Sequence, residues 1–370
     1  MGFTCGIIGL PNVGKSTIFN ALTSAKAAAA NFPFCTIEPN TGAVPVPDER
    51  LEVLAKLCAS EKIVPTQVEF VDIAGLIRGA SKGEGLGNQF LGHIRGVDAI
   101  AHVVRCFEDQ NVIHVEGAVD PVRDIETIET ELLLSDLDTV QKQFQKLEKL
   151  SKTGDKDARA KLDAFMALEK HLSAGKPARS FQVGGEEDAS AEFRATLLTG
   201  KPVVFVANVA EGDAAHAPNA RGQHLVDKVY AYAQSHGAEV VVISGQVESE
   251  IAELPKADRK AYLDSLGLTS SGLDRLALAG YRLLNLITFF TAGPKEAHAW
   301  TAPKGTLAPQ CAGKIHSDFE RGFIRAEVIS YEDYVATGSE AAAREAGKLR
   351  IEGKEYVMRD GDVVHFRFNV

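Results

Sequence analysis

The residues with the most specific chemistry lie within the first twenty of the chain. A short apolar run, Phe3–Ile8, is followed by the octapeptide Gly9-Leu10-Pro11-Asn12-Val13-Gly14-Lys15-Ser16. This is the complete G-x-x-x-x-G-K-[ST] pattern. Its glycines let backbone N–H groups turn toward phosphate oxygens, its lysine places a charge on the β- and γ-phosphates, and its serine hydroxyl is a ligand for Mg²⁺. The sequence therefore predicts a site for a nucleotide with Mg²⁺.

Six consecutive residues of this loop are expected to hold the phosphates: Asn12, Val13, Gly14, Lys15, Ser16 and Thr17. The segment that follows, Thr17–Leu22, is predicted to be a helix, and its N-terminal end adds positive potential at the same place. We also assign Lys15 a catalytic role, because its charge lies on the phosphate that is transferred.

A second metal carboxylate is expected at Asp72. It ends the apolar run Val68–Val71 and begins Asp72-Ile73-Ala74-Gly75, a D-x-x-G pattern. We expect the Asp72 carboxylate to reach Mg²⁺ through water and the Gly75 N–H to bond the γ-phosphate, which gives Gly75 a catalytic role. Between the two motifs, Thr36 is the candidate that closes over the nucleotide and ligates Mg²⁺. The alternative is a threonine that only enters a strand.

These motifs resemble those of the Obg class of translation-factor GTPases. The resemblance is carried by Asn12–Ser16, by Asn31–Phe34, and by Asp72–Ile77 with the glycine-rich run after it. It implies an α/β fold, with a Ras-like P-loop NTPase domain at about residues 1–263.

Base recognition departs from the GTPase pattern. The predicted buried strand Pro202–Ala207 runs into Asn208-Val209-Ala210-Glu211, where GTPases have N-K-x-D. The lysine is absent, and the extra methylene of the glutamate moves its carboxylate by about 1.5 Å. A site misplaced by that distance discriminates guanine poorly. The base residues are predicted to be Asn208, Val209 and Glu211, together with Ser244 from the later loop Ser244-Gly245-Gln246.

The N-x-x-E pattern resembles that of the YchF or Obg-like ATPase branch of this class, which prefers ATP. The resemblance implies a Mg²⁺-dependent ATPase in which backbone groups around Asn208 and Val209 bind adenine. A GTPase with GTP as its physiological nucleotide is the alternative, and a site without base preference is a third possibility.

The residue after D-x-x-G indicates slow hydrolysis. Many GTPases have a glutamine there that orients the attacking water, whereas Leu76 has no polar atom. The water must then be positioned by a histidine on a moving loop, by a monovalent cation such as K⁺, or by a partner. We favour His114, in a predicted loop, over His93, in a predicted helix. The alternative is that His114 is a structural or surface residue.

A helical insertion is predicted at about 125–200, within the nucleotide-binding domain. Apolar residues recur at spacings of three and four over 125–175, with a break at Thr153-Gly154-Asp155, which indicates an antiparallel helical hairpin. Seven basic residues crowd its tip: Lys142, Lys146, Lys149, Lys152, Lys156, Arg159 and Lys161. The basic tip is either a solvated charged face or part of an arm that docks on RNA or a ribosomal protein. The family resemblance favours the docking arm.

The C-terminal part, residues 285–368, changes to short strands and turns. Strands are predicted near 288–294, 296–300, 322–329, 354–357 and 362–368, with a single helix near 307–318. The pattern indicates a β-grasp domain that resembles the TGS domain of the YchF branch. It is either a structural cap or a surface for RNA or the ribosome, and the candidate contacts are Lys314, His316, Arg321 and Arg325.

Composition restricts the classes of partner. The 370-residue chain has a net charge of −10, which excludes a uniformly basic nucleic-acid coat. The acidity is concentrated in residues 1–130, with 10 basic and 16 acidic side chains, whereas residues 131–202 have 12 of each. Five widely spaced cysteines without a C-x-x-C indicate reduced thiols.

These observations and the resemblance together lead to one expectation. We expect a cytoplasmic protein that binds the large ribosomal subunit and RNA through the insertion and the TGS domain, without membrane or DNA partners. Its class is either a slow ATPase or a nucleotide-gated binding module in which hydrolysis serves as a timer.

Overall fold

The computed structural model describes residues 3–28, 41–73, 86–152, 156–182, 190–215 and 222–369. Within these ranges the chain forms twelve strands, fourteen α-helices and two single-turn 3₁₀ helices. The strands are β1 Thr4–Ile8, β2 Thr41–Pro45, β3 Lys62–Val64, β4 Gln67–Asp72, β5 Ala99–Arg105, β6 Val203–Asn208, β7 Glu239–Ile243, β8 Leu286–Ala292, β9 Glu296–Pro303, β10 Phe323–Ser330, β11 Arg350–Glu352 and β12 Asp362–Phe368. The helices are α1 Lys15–Ala28, α2 Glu49–Leu57, α3 Leu86–Arg95, α4 Pro121–Lys152, α5 Lys156–Ser173, α6 Ala191–Ala195, α7 Gln223–Ser235, α8 Gly245–Glu253, α9 Lys256–Ser265, α10 Gly272–Leu283, α11 Ala308–Ile315, α12 Ser317–Arg321, α13 Tyr331–Thr337 and α14 Glu340–Glu345.

The chain divides into two compact units. The first comprises residues 1–44 and 69–280, and the second comprises residues 45–68 and 281–370. The segment 45–68 carries α2 and β3 into the second unit, where β3 pairs with β9 and Lys62 Nζ donates to the Glu296 carboxylate at 3.1 Å. No local sequence pattern announces this excursion, because it depends on partners more than 200 residues away.

The first unit is built on a sheet with the strand order β2-β4-β1-β5-β6-β7. The pairs β1–β4, β1–β5, β5–β6 and β6–β7 are parallel, and every residue of β5 and β6 is buried. Burial on both faces explains why these strands are continuous apolar runs. The register places Asp72 beside Ile7 and Arg105 beside Asn208, so the carboxyl ends of four strands meet at one edge. In open α/β sheets this edge is where ligands bind.

The predicted helical hairpin is present as α4 and α5. Its core consists of buried residues at helical spacing: Val140, Leu147, Ala158, Phe165, Leu168 and Leu172. Gln141 Nε2 donates to Glu169 Oε1 at 3.1 Å across the pair, which shows that the two helices run side by side in opposite directions. None of the helices in the described ranges has the length and apolar character needed to cross a membrane.

One carboxylate ties the insertion to the sheet domain. Asp136 on α4 is 1% exposed and accepts three hydrogen bonds: from Leu198 N at 2.8 Å, from Thr199 N at 2.7 Å and from Thr199 Oγ1 at 2.7 Å. Leu198 and Thr199 lie a few residues before β6, which begins at Val203, so Asp136 fixes the segment through which the chain re-enters the sheet.

The second unit contains a sheet with the order β11-β10-β12-β8-β9-β3. One core cluster joins the sheet to α11, including Phe289, Phe366 and Cys311. A second core cluster joins the sheet to α2, α13 and α14, including Leu54 and Phe290. The sheet is therefore covered by helices on both faces.

Two details predicted for the C-terminal part are wrong. The prediction of a single helix near 307–318 misses α12, α13 and α14, although Ser330 and Ser339 cap the last two by accepting from Asp333 N and Ala342 N. The predicted strand at 354–357 is absent among the described residues: Tyr356 N bonds back to Gly353 O in a turn, and the short strand is β11.

Candidate functional site

The phosphate loop lies between β1 and α1, as the motif predicts. Helix α1 begins at Lys15, and Ile18 N donates to Gly14 O at 3.1 Å in its first turn. Val13 is buried, whereas Ser16 and Thr17 are exposed. The Ser16 hydroxyl and the positive end of α1 therefore face the same open space.

This space is a cleft of about 650 Å³ that gathers most of the predicted phosphate and metal residues. Its walls are formed by Leu10, Pro11, Asn12, Gly14, Lys15, Ser16, Thr17, Asp72, Phe107 and Val112. The structure thus brings Asp72 to the loop residues from a strand more than 50 positions later in the sequence.

Lys15 and Asp72 form an ion pair inside this cleft. The two side chains that we assign to the phosphates and to the metal therefore neutralise each other, and Lys15 is only 8% exposed. A nucleotide with Mg²⁺ offers the lysine a phosphate and the aspartate a hydrated cation. The donor set of Ser16 hydroxyl and Asp72 carboxylate consists of hard oxygens, which fits Mg²⁺.

Three predicted residues lie outside the described residues: Thr36, Gly75 and Leu76. The roles assigned to Thr36 and Gly75 stay predictions.

Asn208 joins the phosphate loop to the loop Ser244-Gly245-Gln246 after β7, which we call the base loop. Its side chain is 3% exposed, its Nδ2 donates to Val13 O at 2.8 Å, and its Oδ1 accepts from Gly245 N at 3.0 Å. The side chain therefore holds two loops at a fixed separation.

Two other predicted base residues, Val209 and Ser244, also have polar groups that are hydrogen-bonded within the protein. Val209 N donates to Ile243 O at 2.8 Å, so this N–H is not free to bond a base in this conformation. Ser244 is buried, and its hydroxyl caps α8 by accepting from Val247 N.

Glu211 is the exposed member of the predicted base set. Its Oε2 accepts a hydrogen bond from Gln246 Nε2 at 3.1 Å. The sequence interpretation did not assign Gln246 a role. In the structure it orients the carboxylate that replaces the aspartate of N-K-x-D.

The loop after β5, residues 106–114, contributes a wall of the cleft that the sequence interpretation missed. Phe107 and Val112 line the cleft, and Asn12 Nδ2 donates to Ile113 O at 3.1 Å. We call these nine residues the β5 loop. One signal could have revealed it: the loop follows a buried strand, as the phosphate loop follows β1.

The first residue of the β5 loop, Cys106, is buried. Burial raises the pKa of the Cys106 thiol to about 12, so this cysteine is not a nucleophile at neutral pH.

His114 ends the β5 loop and is held by two hydrogen bonds. It is 5% exposed, its Nε2 lies 2.8 Å from Asp124 Oδ2, and its Nδ1 accepts from Glu116 N at 3.1 Å. Nε2 is therefore the protonated nitrogen that donates to Asp124. Contact with a nucleotide requires this pair to open. His93 is exposed on α3.

Comparisons with known proteins agree with this architecture. Residues 4–157 match a family model described as "50S ribosome-binding GTPase", and residues 286–369 match the model YchF-GTPase_C, described as "Protein of unknown function (DUF933)". The chain is 55% identical to the ribosome-binding ATPase YchF of Bacillus subtilis and 53% identical to that of Escherichia coli O157:H7, over 370 residues and 100% of each chain. It also resembles the solved structure of the Schizosaccharomyces pombe YchF GTPase, with a TM-score of 0.87, 37% identity, and coverage of 99% of this chain and 98% of that one.

Proposed function

This chain belongs to the YchF family, and on that premise we propose that it is a Mg²⁺-dependent ATPase that binds the ribosome as a nucleotide-dependent switch. The observation that carries the enzymatic part is the convergence of Lys15, Ser16 and Asp72 in one cleft at the N-terminus of α1. A protein that binds the ribosome is expected in the cytoplasm.

Each residue of the cleft has a defined task in this proposal. Lys15 leaves Asp72 and stabilises the charge on the β- and γ-phosphates, while the N–H groups of Asn12–Thr17 hold the phosphate oxygens. When bound, Mg²⁺ would neutralise the developing phosphate charge, with Ser16 and Thr36 as ligands and Asp72 as a partner through water. Gly75 would donate to the γ-phosphate.

ATP is the proposed nucleotide, and Glu211 supports this choice. Its longer side chain is held by Gln246 rather than in the geometry with which an aspartate accepts from guanine. Calorimetric titration of ATP and GTP into the purified protein tests the proposal. We expect tighter binding of ATP, and tenfold tighter binding of GTP would reject it in favour of a GTPase.

The switch part of the proposal is tested by turnover. We expect slow intrinsic hydrolysis that ribosomes stimulate, because Leu76 supplies no group to orient water. Replacing K⁺ by Na⁺ in the same assay shows whether a monovalent cation contributes. Absence of ribosome binding in every nucleotide state would remove the switch and leave a plain ATPase.

We predict that His114→Ala lowers the ATPase kcat at least tenfold and leaves the Kd for ADP within threefold. A general acid–base or water-orienting group contributes about 10²–10⁴ in rate, while the buried His114 ring lies outside the phosphate contacts. A phosphate-release assay measures kcat, and calorimetry measures the Kd for ADP. The matched control is His224→Ala, an exposed histidine on α7. Unchanged kcat for His114→Ala would assign the ring a structural role.

A groove between α3 and α4 is the surface that we propose for ribosomal RNA. Its volume is about 580 Å³, and it is lined by Leu91, Arg95, Leu134, Ser135, Asp138, Thr139, Lys142, Gln143, Lys146 and Phe193. Three of these side chains are cations and one is an acid, Asp138, which pairs with Lys142 at 2.6 Å. The excess of positive charge and the hydroxyl and amide donors fit phosphodiester oxygens.

We predict that the double change Lys142→Glu with Lys146→Glu weakens ribosome binding at least tenfold and leaves the Kd for ATP unchanged. Each lysine–phosphate contact contributes about 1 to the slope of log affinity against log salt, so the slope should fall by about 2. Cosedimentation with 50S subunits over a salt series measures both. The control changes Lys228 and Lys260, exposed on other helices, to glutamate. Equal loss in both double variants would exclude the groove.

Three of the four residues predicted to contact RNA in the C-terminal part, His316, Arg321 and Arg325, have partners within the protein, and Lys314 stays a predicted contact. Arg321 pairs with Asp318, and Arg325 pairs with Glu327 at 3.1 Å. His316 Nδ1 accepts from Asp318 N at 3.2 Å and so caps α12. In the α3–α4 groove three cations face a single acid, whereas Arg321 and Arg325 each pair with a carboxylate, so we propose the groove as the primary contact and the C-terminal surface as a secondary one.

A further inference from the structure

Arg105 stands out among the buried charged groups of the described residues. It ends β5, is 1% exposed, and donates three hydrogen bonds into the β5 loop: Nε to Phe107 O at 3.0 Å, Nη1 to Val112 O at 2.9 Å and Nη2 to Asp109 O at 3.3 Å. Its guanidinium also lies over the Phe107 ring, 4.6 Å from the centroid. One planar group therefore holds both ends of the loop.

The charge and the planar shape of the Arg105 side chain both matter for this arrangement. Burial removes the cation from water, which opposes folding, and all three hydrogen bonds that the structure records for Arg105 end on backbone carbonyls. Burial lowers the pKa of Arg105, but a guanidinium stays protonated at neutral pH. Its rigid fork fixes the directions of its acceptors, which the flexible ammonium of a lysine does not do.

The held loop reaches the nucleotide site at two points. Phe107 and Val112 line the cleft, and Ile113 O accepts from Asn12 Nδ2 at 3.1 Å. Asn12 has φ +63°, in the left-handed region that non-glycine residues seldom adopt, so this bond helps to hold the phosphate loop in its conformation. The next residue after Ile113 is His114.

We infer that Arg105 is a positioning residue for ATP hydrolysis, which fixes the β5 loop against the phosphate loop and thereby sets where His114 starts its approach. The inference rests on the proposed ATPase function. It concerns the geometry of the loop, and Arg105 itself contacts carbonyls rather than reacting groups.

The first test compares Arg105→Lys, which keeps the charge and loses the fork, with the wild type. We expect kcat for ATP to fall at least tenfold while KM changes less than threefold. Arg275→Lys is the matched control, because Arg275 also donates to two carbonyls, Ser270 O and Val242 O, both at 2.8 Å, and lies outside the cleft lining. Wild-type kcat in Arg105→Lys, or an equal loss of kcat in Arg275→Lys, would overturn the inference.

The second test separates positioning from simple destabilisation. Added guanidinium at sub-denaturing concentration should raise the turnover of Arg105→Ala at least threefold and leave that of Arg275→Ala unchanged.

A double variant tests whether Arg105 and His114 act together. Adding Arg105→Lys to His114→Ala should lower kcat by less than a further twofold, because both changes act through one loop. Full additivity, or absence of rescue in folded Arg105→Ala, would overturn the inference.

The wild-type assay distinguishes the two proposals. Absence of wild-type ATP hydrolysis rejects the proposed function and the inference that depends on it. Normal wild-type hydrolysis with normal hydrolysis by Arg105→Lys rejects only the role of Arg105.

Discussion

Gly14→Ala is expected to raise the Kd for ATP at least 100-fold, the largest effect that we predict for a single methyl group. Gly14 has φ +91°, and a Cβ there would lie 2.0 Å from Asn208 Nδ2. Real Cβ atoms do not approach a heavy atom that closely, so either the loop or Asn208 must move. Moving Asn208 breaks its bonds to Val13 O and Gly245 N, which hold the phosphate and base loops together. A 100-fold loss corresponds to about 2.7 kcal/mol.

The control for this prediction is Gly175→Ala. Gly175 has φ +77°, but a Cβ there would meet no heavy atom within 4 Å. It therefore carries the backbone strain of about 1–2 kcal/mol without the collision. Calorimetry with ATP should give a Kd within threefold of the wild type. If Gly14→Ala binds ATP as tightly as Gly175→Ala, the contact between Asn208 and the phosphate loop is not needed for binding.

Asp136→Asn is expected to lower the free energy of unfolding of the first unit by about 3 kcal/mol. The carboxylate accepts three hydrogen bonds, and two of them come from backbone N–H groups, one on each oxygen. An asparagine turns one acceptor into an N–H₂ donor, so Leu198 N or Thr199 N loses its partner in a buried place. Each unsatisfied buried donor costs about 1–3 kcal/mol, and the facing donors repel one another in addition.

Denaturant unfolding followed by circular dichroism measures this effect. Asp138→Asn is the matched control: it lies two residues away on α4, its side chain is 62% exposed, and its pair with Lys142 is on the surface. A surface pair of this kind contributes about 0–1 kcal/mol. Equal stability of the two variants would show that Asp136 does not anchor the insertion.

Several parts of the site follow from residues that are neighbours in the chain. The phosphate loop and the helix that follows it depend on one continuous segment, so glycine spacing and the flanking apolar run were sufficient to predict both. The same holds for the helical hairpin, because its 3.6-residue periodicity is recorded within each helix. This periodicity can be detected in a few tens of consecutive residues, without knowing which distant residues they contact.

Other parts depend on contacts between distant residues. The pairing of β5 with β6 puts Arg105 beside Asn208, and thereby brings the β5 loop and the base loop to the phosphates. The segment 45–68 joined the C-terminal unit through β3 and β9, and the helices after β10 were missed although their serine caps are in the sequence.

The sequence by itself determined the phosphate loop, and it predicted a metal carboxylate at Asp72 and a base site that lacks the guanine-reading lysine. Only the tertiary structure decided which of these side chains are free and which are committed to the protein. It placed Lys15 on Asp72, used both ends of the Asn208 amide to join two loops, and enclosed His114 with Asp124. The reason is physical: a buried polar group must find a partner, and the register of the sheet decides which partner is within reach.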